Sequence, residues 1–280
     1  MGMKQILVMM AAVMVGCGTT KVDSPQPTTK VDPNAPVKLI ADPIVEELVR
    51  RLLSKPTGEL TEADLEKVTY LNLSAIQPVF EGRHGLDASG AKITDAGLKD
   101  VAKLQQLTYL GLNDNQISDA GLKEVAKLQK LEGLALSDTK ITDEGLKEVT
   151  KLQQLLTLGL ANTKITDAGL KDVAKLQNLT HLSLSSTQIT DAGLKDIAKL
   201  QKLEGLALSD TKITDEGLKE VAKLQELTRL ELMHTQITDA GLKEVAKLQM
   251  LQRLSLTGTK VTEAGVAELK KAVPHLDIID

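Results

Sequence analysis

The sequence predicts an α/β solenoid in which a parallel β-sheet forms the concave face and α-helices form the convex face. Residues 83–274 divide without a gap into eight consecutive units of 24 residues. Within each unit the apolar spacing changes from alternation, as in a strand, to the wider spacing of a helix. The chain has no Trp, one Phe and two Tyr. Aliphatic side chains of one reused packing unit must therefore fill the core.

The unit 203–226 shows how one repeat is built. Leu206 and Leu208 alternate with small or polar residues, which indicates a strand with one buried face. Leu218 and Val221 follow at helical spacing. Adjacent strands lie about 4.8 Å apart, whereas packed helices need about 8 to 10 Å. The helical side of the stack must therefore be longer, so the strands line the concave face.

Most predicted helices of the repeats begin with a Thr-Asp pair, such as Thr214 and Asp215. Both residue types cap the free backbone amides of a first helical turn. Asp215 also stands four residues before Lys219, a spacing that allows an i,i+4 ion pair on the helix surface. We expect Thr211, in the turn after the strand, to hydrogen-bond to the backbone within that turn.

The spacing L-x-x-L-x-L-x-x-[NT]-x-[IV] recurs in seven units and resembles the leucine-rich repeat family. The resemblance implies an arc with a parallel sheet inside and helices outside. The asparagine usual in this family stands only at Asn115. Threonine replaces it at Thr139, Thr163, Thr187, Thr211, Thr235 and Thr259. We expect a ladder of threonines to take over the hydrogen bonds that asparagine makes in the family.

Both ends of the repeat region have atypical sequences, as the exposed ends of a stack require. Residues 42–82 are predicted to form an N-terminal cap and a first strand. Its first helix begins after Asp42 at Pro43, and a second short helix begins near Thr61. Residues 275–280 are predicted to form a closing strand at the other end.

Residues 1–16 have the pattern of an export signal. A short basic start is followed by an unbroken apolar run over residues 6–15, which is too short to cross a bilayer as a helix. Residues 14–17, Met-Val-Gly-Cys, resemble the lipobox of bacterial lipoproteins, although Leu is more usual than Met at the first position. The resemblance implies that Cys17 is acylated after cleavage of the signal.

Cys17 is the only cysteine of the chain, and a plain signal peptide with an incidental cysteine is the alternative. Residues 17–41 are rich in Pro and polar residues, which is typical of an extended tether. With an acylated Cys17, the protein would be attached to a membrane by a lipid anchor, and we expect it in the bacterial cell envelope.

A comparison of the units with one another identifies candidate contact residues. Most positions repeat without change, whereas those that flank the strand leucines vary. Most of the variable residues are small, and the large or charged exceptions are Tyr109, His181, Arg229, Glu231, Met233, His234 and Arg253. Arg, Tyr and Met are enriched at binding interfaces. We expect these seven residues to contact a protein or glycan ligand.

Enzymatic activity is not predicted. Ser186, Asp210 and His234 occupy the same position in successive units, but a hydrolytic triad needs His between Ser and Asp, and here Asp is central. No phosphate loop, dinucleotide fingerprint or other catalytic motif is present. We therefore predict no catalytic residues and no cofactor.

Neither a metal site nor nucleic-acid binding is predicted. Asp114, Asp138 and Asn162 could attract calcium as neighbours, but turns favour these residue types for backbone reasons. The four His residues fall at different places in different units and cannot converge on zinc. The formal net charge of −4, with most Lys residues close to acidic ones, does not favour nucleic acid.

Two units are nearly the same in sequence. Units 131–154 and 203–226 differ only at Thr150 versus Ala222 and at Gln154 versus Glu226, which indicates a recent duplication. We expect a monomeric, envelope-anchored binding module that recognises its ligand through the concave face. The alternative is a structural spacer or envelope packing protein with no dedicated ligand, which the small residues of that face would also suit.

Overall fold

A computed structural model describes residues 38–74 and 92–279. Residues 1–37, 75–91 and 280 lie outside this description, and with them Cys17, the predicted signal peptide and part of the first predicted unit. The described strands are β1 Tyr70–Asn72, β2 Tyr109–Gly111, β3 Gly133–Ala135, β4 Thr157–Gly159, β5 His181–Ser183, β6 Gly205–Ala207, β7 Arg229–Glu231, β8 Arg253–Ser255 and β9 Asp277–Ile279.

The described helices alternate with these strands after two helices at the start. They are α1 Pro43–Leu52, α2 Glu62–Leu65, α3 Leu98–Val101, α4 Asp119–Val125, α5 Asp143–Val149, α6 Asp167–Val173, α7 Asp191–Ile197, α8 Asp215–Val221, α9 Asp239–Val245 and α10 Glu263–Ala272. Among these helices none is long and apolar enough to cross a membrane.

The strands form one parallel sheet in chain order, from β1 to β9. Each pairs with the next in a register that sets equivalent positions side by side, so that Leu134 of β3 faces Leu158 of β4. This central leucine is buried, whereas the two flanking positions point to the opposite face. The buried leucines of the strands and the Leu, Val and Ile residues of the helices belong to one continuous core. The predicted α/β leucine-rich repeat architecture is confirmed.

Neighbouring units are joined at the starts of their helices by an aspartate. Asp215, the first residue of α8, accepts hydrogen bonds from the backbone N–H of Thr238 at 2.8 Å and from its hydroxyl at 2.6 Å. The same contact recurs in the pairs Asp95–Ser118, Asp119–Thr142, Asp143–Thr166, Asp167–Thr190, Asp191–Thr214 and Asp239–Thr262. The threonine hydroxyl also caps its own helix, as predicted.

The predicted ion pair between Asp215 and Lys219 is wrong. Lys219 pairs with Glu216 at 2.5 Å, because the Asp215 carboxylate is already directed toward the next unit. Gly241, which is in the same unit as Thr238, lies against the same Asp215 carboxylate. A Cβ added at Gly241 would collide with Asp215 Oδ1. The glycine that recurs in the helices is therefore required by a close approach between units.

The recurring threonines do not form a ladder between units. The hydroxyl of Thr211 donates to the carbonyl oxygen of Leu208 in its own turn at 2.5 Å. Asn115, in contrast, donates to Leu73 O of the preceding strand at 2.8 Å and accepts from the Ile93 N–H at 2.8 Å. The shorter threonine side chain keeps only the bond within its turn, and the aspartates at the helix starts connect the units instead.

One turn position per unit adopts a left-handed backbone. The residues are Asp114, Asp138, Asn162, Ser186, Asp210 and His234, with φ between 51° and 59°, and Gly258 with φ 73°. Asp and Asn tolerate this conformation better than most residues, and Gly adopts it without steric cost. Backbone geometry therefore accounts for the acidic row that resembled a calcium site.

Helix α1 covers the first end of the core. The Asp42 side chain accepts hydrogen bonds from the N–H groups of the first turn, and Val45 and Val49 are buried. The Asp100 carboxylate accepts from the Asp42 N–H at 2.6 Å and pairs with Lys103 at 2.6 Å. Burial acts to raise the pKa of Asp100, but these hydrogen bonds outweigh it and lower the pKa.

Helix α2 begins with a reciprocal capping box. The Thr61 hydroxyl accepts from the Asp64 N–H, and the Asp64 side chain accepts from the Thr61 N–H. Hydrogen bonds from Lys55, Thr61 and Lys67 hold the pKa of Asp64 well below its usual value. At the opposite end of the sheet, β9 pairs with β8 and places Ile278 beside Leu254.

Candidate ligand-binding face

The solvent-exposed face of the sheet, opposite the core, contains a groove of about 210 Å³. It runs across the strands from Tyr109 on β2 to Arg229 and Glu231 on β7. His181 on β5 also lines it, so the groove contains four of the seven predicted contact residues. The structure therefore brings Tyr109, His181, Arg229 and Glu231 to one surface.

Small residues form the floor of this groove. Ala135, Gly159 and Ala207 occupy the same strand position on β3, β4 and β6, and each is partly exposed. Ser183 on β5 is the corresponding polar residue. The low floor leaves space between the longer side chains of Tyr109, His181 and Arg229.

Two aromatic rings of the groove lie over glycines of the next strand. A Cβ added at Gly133 would stand 2.7 Å from Cδ2 of Tyr109, and one added at Gly205 would stand 2.6 Å from Cδ2 of His181. Real Cβ atoms do not approach a ring so closely, so a side chain at either glycine would displace the ring from its present place. Both glycines are buried under the rings.

Tyr70 on β1 lies on the same face and was not among the predicted residues. Its ring stacks on that of Tyr109 with centroids 4.6 Å apart and planes 8° from parallel, and Tyr70 is 52% exposed. Burial, and secondarily the neighbouring Tyr70, raises the pKa of Tyr109. Residues 68–73 repeat the strand pattern of the later units, so extending the comparison of equivalent positions to them would have identified Tyr70.

Two arginines are neighbours on the sheet face, at the end away from Tyr109. Arg229 on β7 and Arg253 on β8 occupy equivalent positions in register, and both are exposed. Arg253 Nε lies 3.5 Å from Asp277 Oδ2 on β9. Within the described residues Arg229 forms no ion pair. This end of the sheet face therefore offers a guanidinium group that is free to bind an anion.

Met233 and His234 do not line the groove. They follow β7 in the turn, where His234 Nδ1 is 3.1 Å from Asp210 Oδ1 and the imidazole lies against Gly258. Among the left-handed turn residues of successive units, Asp210 lies between Ser186 and His234. The imidazole of His234 is therefore next to an aspartate and not next to the serine. The arrangement lacks the order of a hydrolytic triad.

The turn row also differs from a cation site. Asp114 pairs with Lys92 at 2.6 Å, and Asp138 accepts a hydrogen bond from the Asn162 amide at 2.5 Å. Among residues 38–74 and 92–279, no group of three or more His, Cys, Asp or Glu side chains could hold a metal ion.

The repeats match known family models. A model described as a leucine-rich repeat region matches residues 84–209, and a second leucine-rich repeat model matches residues 199–222 and 223–246. Together these matches cover more than half of the chain. No curated protein sequence matches it.

Among solved structures, the chain is similar to internalin C2 from Listeria monocytogenes, with 27% identity and a TM-score of 0.62 over 86% of this chain and 94% of that one. A leucine-rich repeat protein from Leptospira interrogans is 24% identical, covering 65% and 57% of the two chains with a TM-score of 0.44. Internalin F from Listeria monocytogenes is 20% identical, covering 85% and 88% with a TM-score of 0.43. With its matching repeats and its parallel sheet, the chain is a leucine-rich repeat protein.

Proposed function

We propose that the chain is a binding module that recognises a protein or glycan through the concave face of its sheet. The observation that carries this proposal is the groove, in which Tyr109, His181, Arg229 and Glu231 converge from three units. These positions vary between units, whereas the core leucines and the helix-start aspartates are nearly constant. Variable side chains gathered on one exposed face favour a recognition role.

The arginine pair also favours binding over a spacer role. Arg229 and Arg253 place two like charges on neighbouring strands, about 4.8 Å apart at the backbone. Like charges directly opposite one another destabilise a sheet. Asp277 offsets the charge of Arg253, whereas Arg229 forms no ion pair within the described residues, so an acidic group of a ligand would relieve the repulsion that remains.

A pair of ligand libraries tests the proposal. Wild-type protein is screened against a phage-displayed library of random twelve-residue peptides and against a glycan array. The selected ligands are then measured with an Arg229→Ala/Arg253→Ala variant, whose binding should weaken roughly tenfold or more, as hot-spot substitutions do.

The control variant removes two charges from the helical side. Lys171→Ala/Lys195→Ala changes two exposed lysines of α6 and α7 and should leave binding unchanged. Circular dichroism checks that both variants remain folded. If neither library yields a ligand, or if the selected ligands bind the arginine variant as tightly as wild type, the spacer alternative is favoured.

We further propose that the protein is anchored in the bacterial envelope through an acylated Cys17. The lipobox-like residues 14–17 and the Pro-rich segment behind them support this proposal. Intact mass of membrane-extracted protein should show a chain that begins at Cys17 with added acyl mass. A Cys17→Ala variant should lack that mass. An unacylated wild type would instead indicate a freely secreted or intracellular protein.

A further inference from the structure

The groove contains the same structural element twice. Tyr109 on β2 lies over Gly133 on β3, and His181 on β5 lies over Gly205 on β6. The glycines belong to the two nearly identical units, so the strand beside each ring has the same sequence, Gly-Leu-Ala. The groove therefore has two equivalent ring-and-glycine sites, which we call the Tyr109 site and the His181 site.

The spacing of the two sites matches that of an extended peptide. They lie three strands apart, and at about 4.8 Å per strand this separation is about 14 Å. An extended chain rises about 3.4 Å per residue and points alternate side chains to the same face. Residues i and i+4 of such a chain therefore lie on one face, separated by about 14 Å.

The arginine pair lies at nearly the same interval beyond the His181 site. The middle of the pair formed by Arg229 and Arg253 is two and a half strands from β5, or about 12 Å. Residue i+8 of the same peptide would lie on the same face and come close to both guanidinium groups. A carboxylate at that position would form charge-assisted hydrogen bonds with them.

The floor between the sites favours a peptide over a sugar. Ala135 and Gly159 offer no side-chain hydrogen-bonding group, and Thr157 is the one polar side chain lining this part of the groove within the described residues. A glycan would bury several hydroxyl groups here without partners, which costs binding free energy. A peptide that crosses the strands can direct its apolar side chains to the floor and keep its backbone toward water.

Building on the proposed function, we propose that the groove binds an extended acidic peptide segment. Apolar side chains at positions i and i+4 rest on the Tyr109 and His181 sites, and a carboxylate at position i+8 binds between Arg229 and Arg253. The peptide runs across the strands, so recognition does not depend on an open sheet edge.

A designed peptide provides the probe. It has eleven residues, with leucine at the second and sixth positions, glutamate at the tenth and serine elsewhere, and it is synthesised in both sequence orders with a fluorescent label. At least one order should bind the full chain about tenfold more tightly than a scrambled peptide of the same composition. Insertion of one serine between the two leucines should abolish this gain, because it turns the later residues to the opposite face.

Matched variants of the protein test each site. Gly205→Ala should displace the His181 ring and weaken the designed peptide roughly tenfold. Lys195→Ala is the control, because this exposed lysine of α7 does not line the groove, and binding should change by no more than about twofold. His181→Ala gives a second test if Gly205→Ala disturbs folding.

The outcomes separate this inference from the proposed function. Equal binding of the designed and scrambled peptides, or of the peptide with the inserted serine, overturns the inference. A second outcome is that the libraries yield glycans, or peptides without an acidic residue at the stated spacing. If the arginine variant no longer binds these ligands, the proposed function stands and the inference fails. If the libraries yield no ligand at all, both fail.

Discussion

The two nearly identical units, the first copy at 131–154 and the second copy at 203–226, have nearly the same internal contacts. The hydroxyls of Thr139 and Thr211 donate to the carbonyl three residues earlier, at 2.6 Å and 2.5 Å. In each copy a lysine of the helix has its pKa raised, because a glutamate three residues earlier accepts a hydrogen bond from its ammonium group. Equal sequence thus gives equal local structure at two places in the stack.

The surfaces of the two copies differ because their neighbours differ. Gly133 of the first copy lies under Tyr109, whereas Gly205 of the second lies under His181. The strand that follows contributes Thr157 in the first case and Arg229 in the second. A unit therefore determines its own hydrogen bonds and core, while the chemistry above it is set by the adjacent units.

The largest expected effect concerns the strand leucines. Leu134→Ala and Leu206→Ala each remove a side chain that is at most 2% exposed. Each should lower the free energy of unfolding by about 2 to 5 kcal/mol, through lost burial and a new cavity. Urea denaturation measures the loss, and hydrogen exchange should show it concentrated in the mutated unit and its neighbours.

The same two substitutions also test how equivalent the copies are. Both leucines pack in the same surroundings of strand and helix, so the two losses should agree within about 0.5 kcal/mol. A loss confined to one copy would show that position in the stack outweighs the local sequence.

A smaller effect is expected at the helix glycines. In an ordinary exposed helix, Gly→Ala stabilises by about 1 kcal/mol. Gly145→Ala and Gly217→Ala should instead destabilise by about 1 to 3 kcal/mol, because the new methyl groups collide with Asp119 and Asp191 of the preceding units. Thermal and urea unfolding of both variants measure the sign of the change.

A double variant separates the collision from other effects of the glycine. When Asp119→Ala removes the carboxylate, the additional cost of Gly145→Ala should fall but not vanish, since the shortest contact of the new methyl group is gone and the one with Leu122 Cδ1 at 2.8 Å remains. Strict additivity of the two substitutions would contradict the close-approach explanation.

The smallest effect concerns one of the two positions that differ between the copies. Thr150 donates a hydrogen bond to Lys147 O at 2.7 Å at the end of its helix, where the second copy has Ala222. Thr150→Ala changes a partly exposed position, and Ala222→Thr adds atoms that the equivalent position of the first copy already accommodates. Each should change the free energy of unfolding by no more than about 0.5 kcal/mol. Urea midpoints that moved further would indicate a contact specific to one copy.

Much of the fold follows from periodicity. The spacing of Leu206, Leu208 and Leu218 predicts a strand and a helix in each unit, and the structure contains both. Comparison of equivalent positions also identified four residues of the groove. Tyr70 was missed because that comparison stopped at the regular repeats. Its place beside Tyr109 depends on β1 pairing in register with β2.

The sequence by itself determined the length of the unit, the faces of its strands and helices, and the variable positions. These depend on the alternation of apolar residues within one segment of chain. The tertiary structure decided that Asp215 binds Thr238 of the next unit and not Lys219 of its own helix. It also decided which glycines lie under a ring. Such contacts join residues in adjacent units, and side-chain directions across that boundary are fixed only when the units stack.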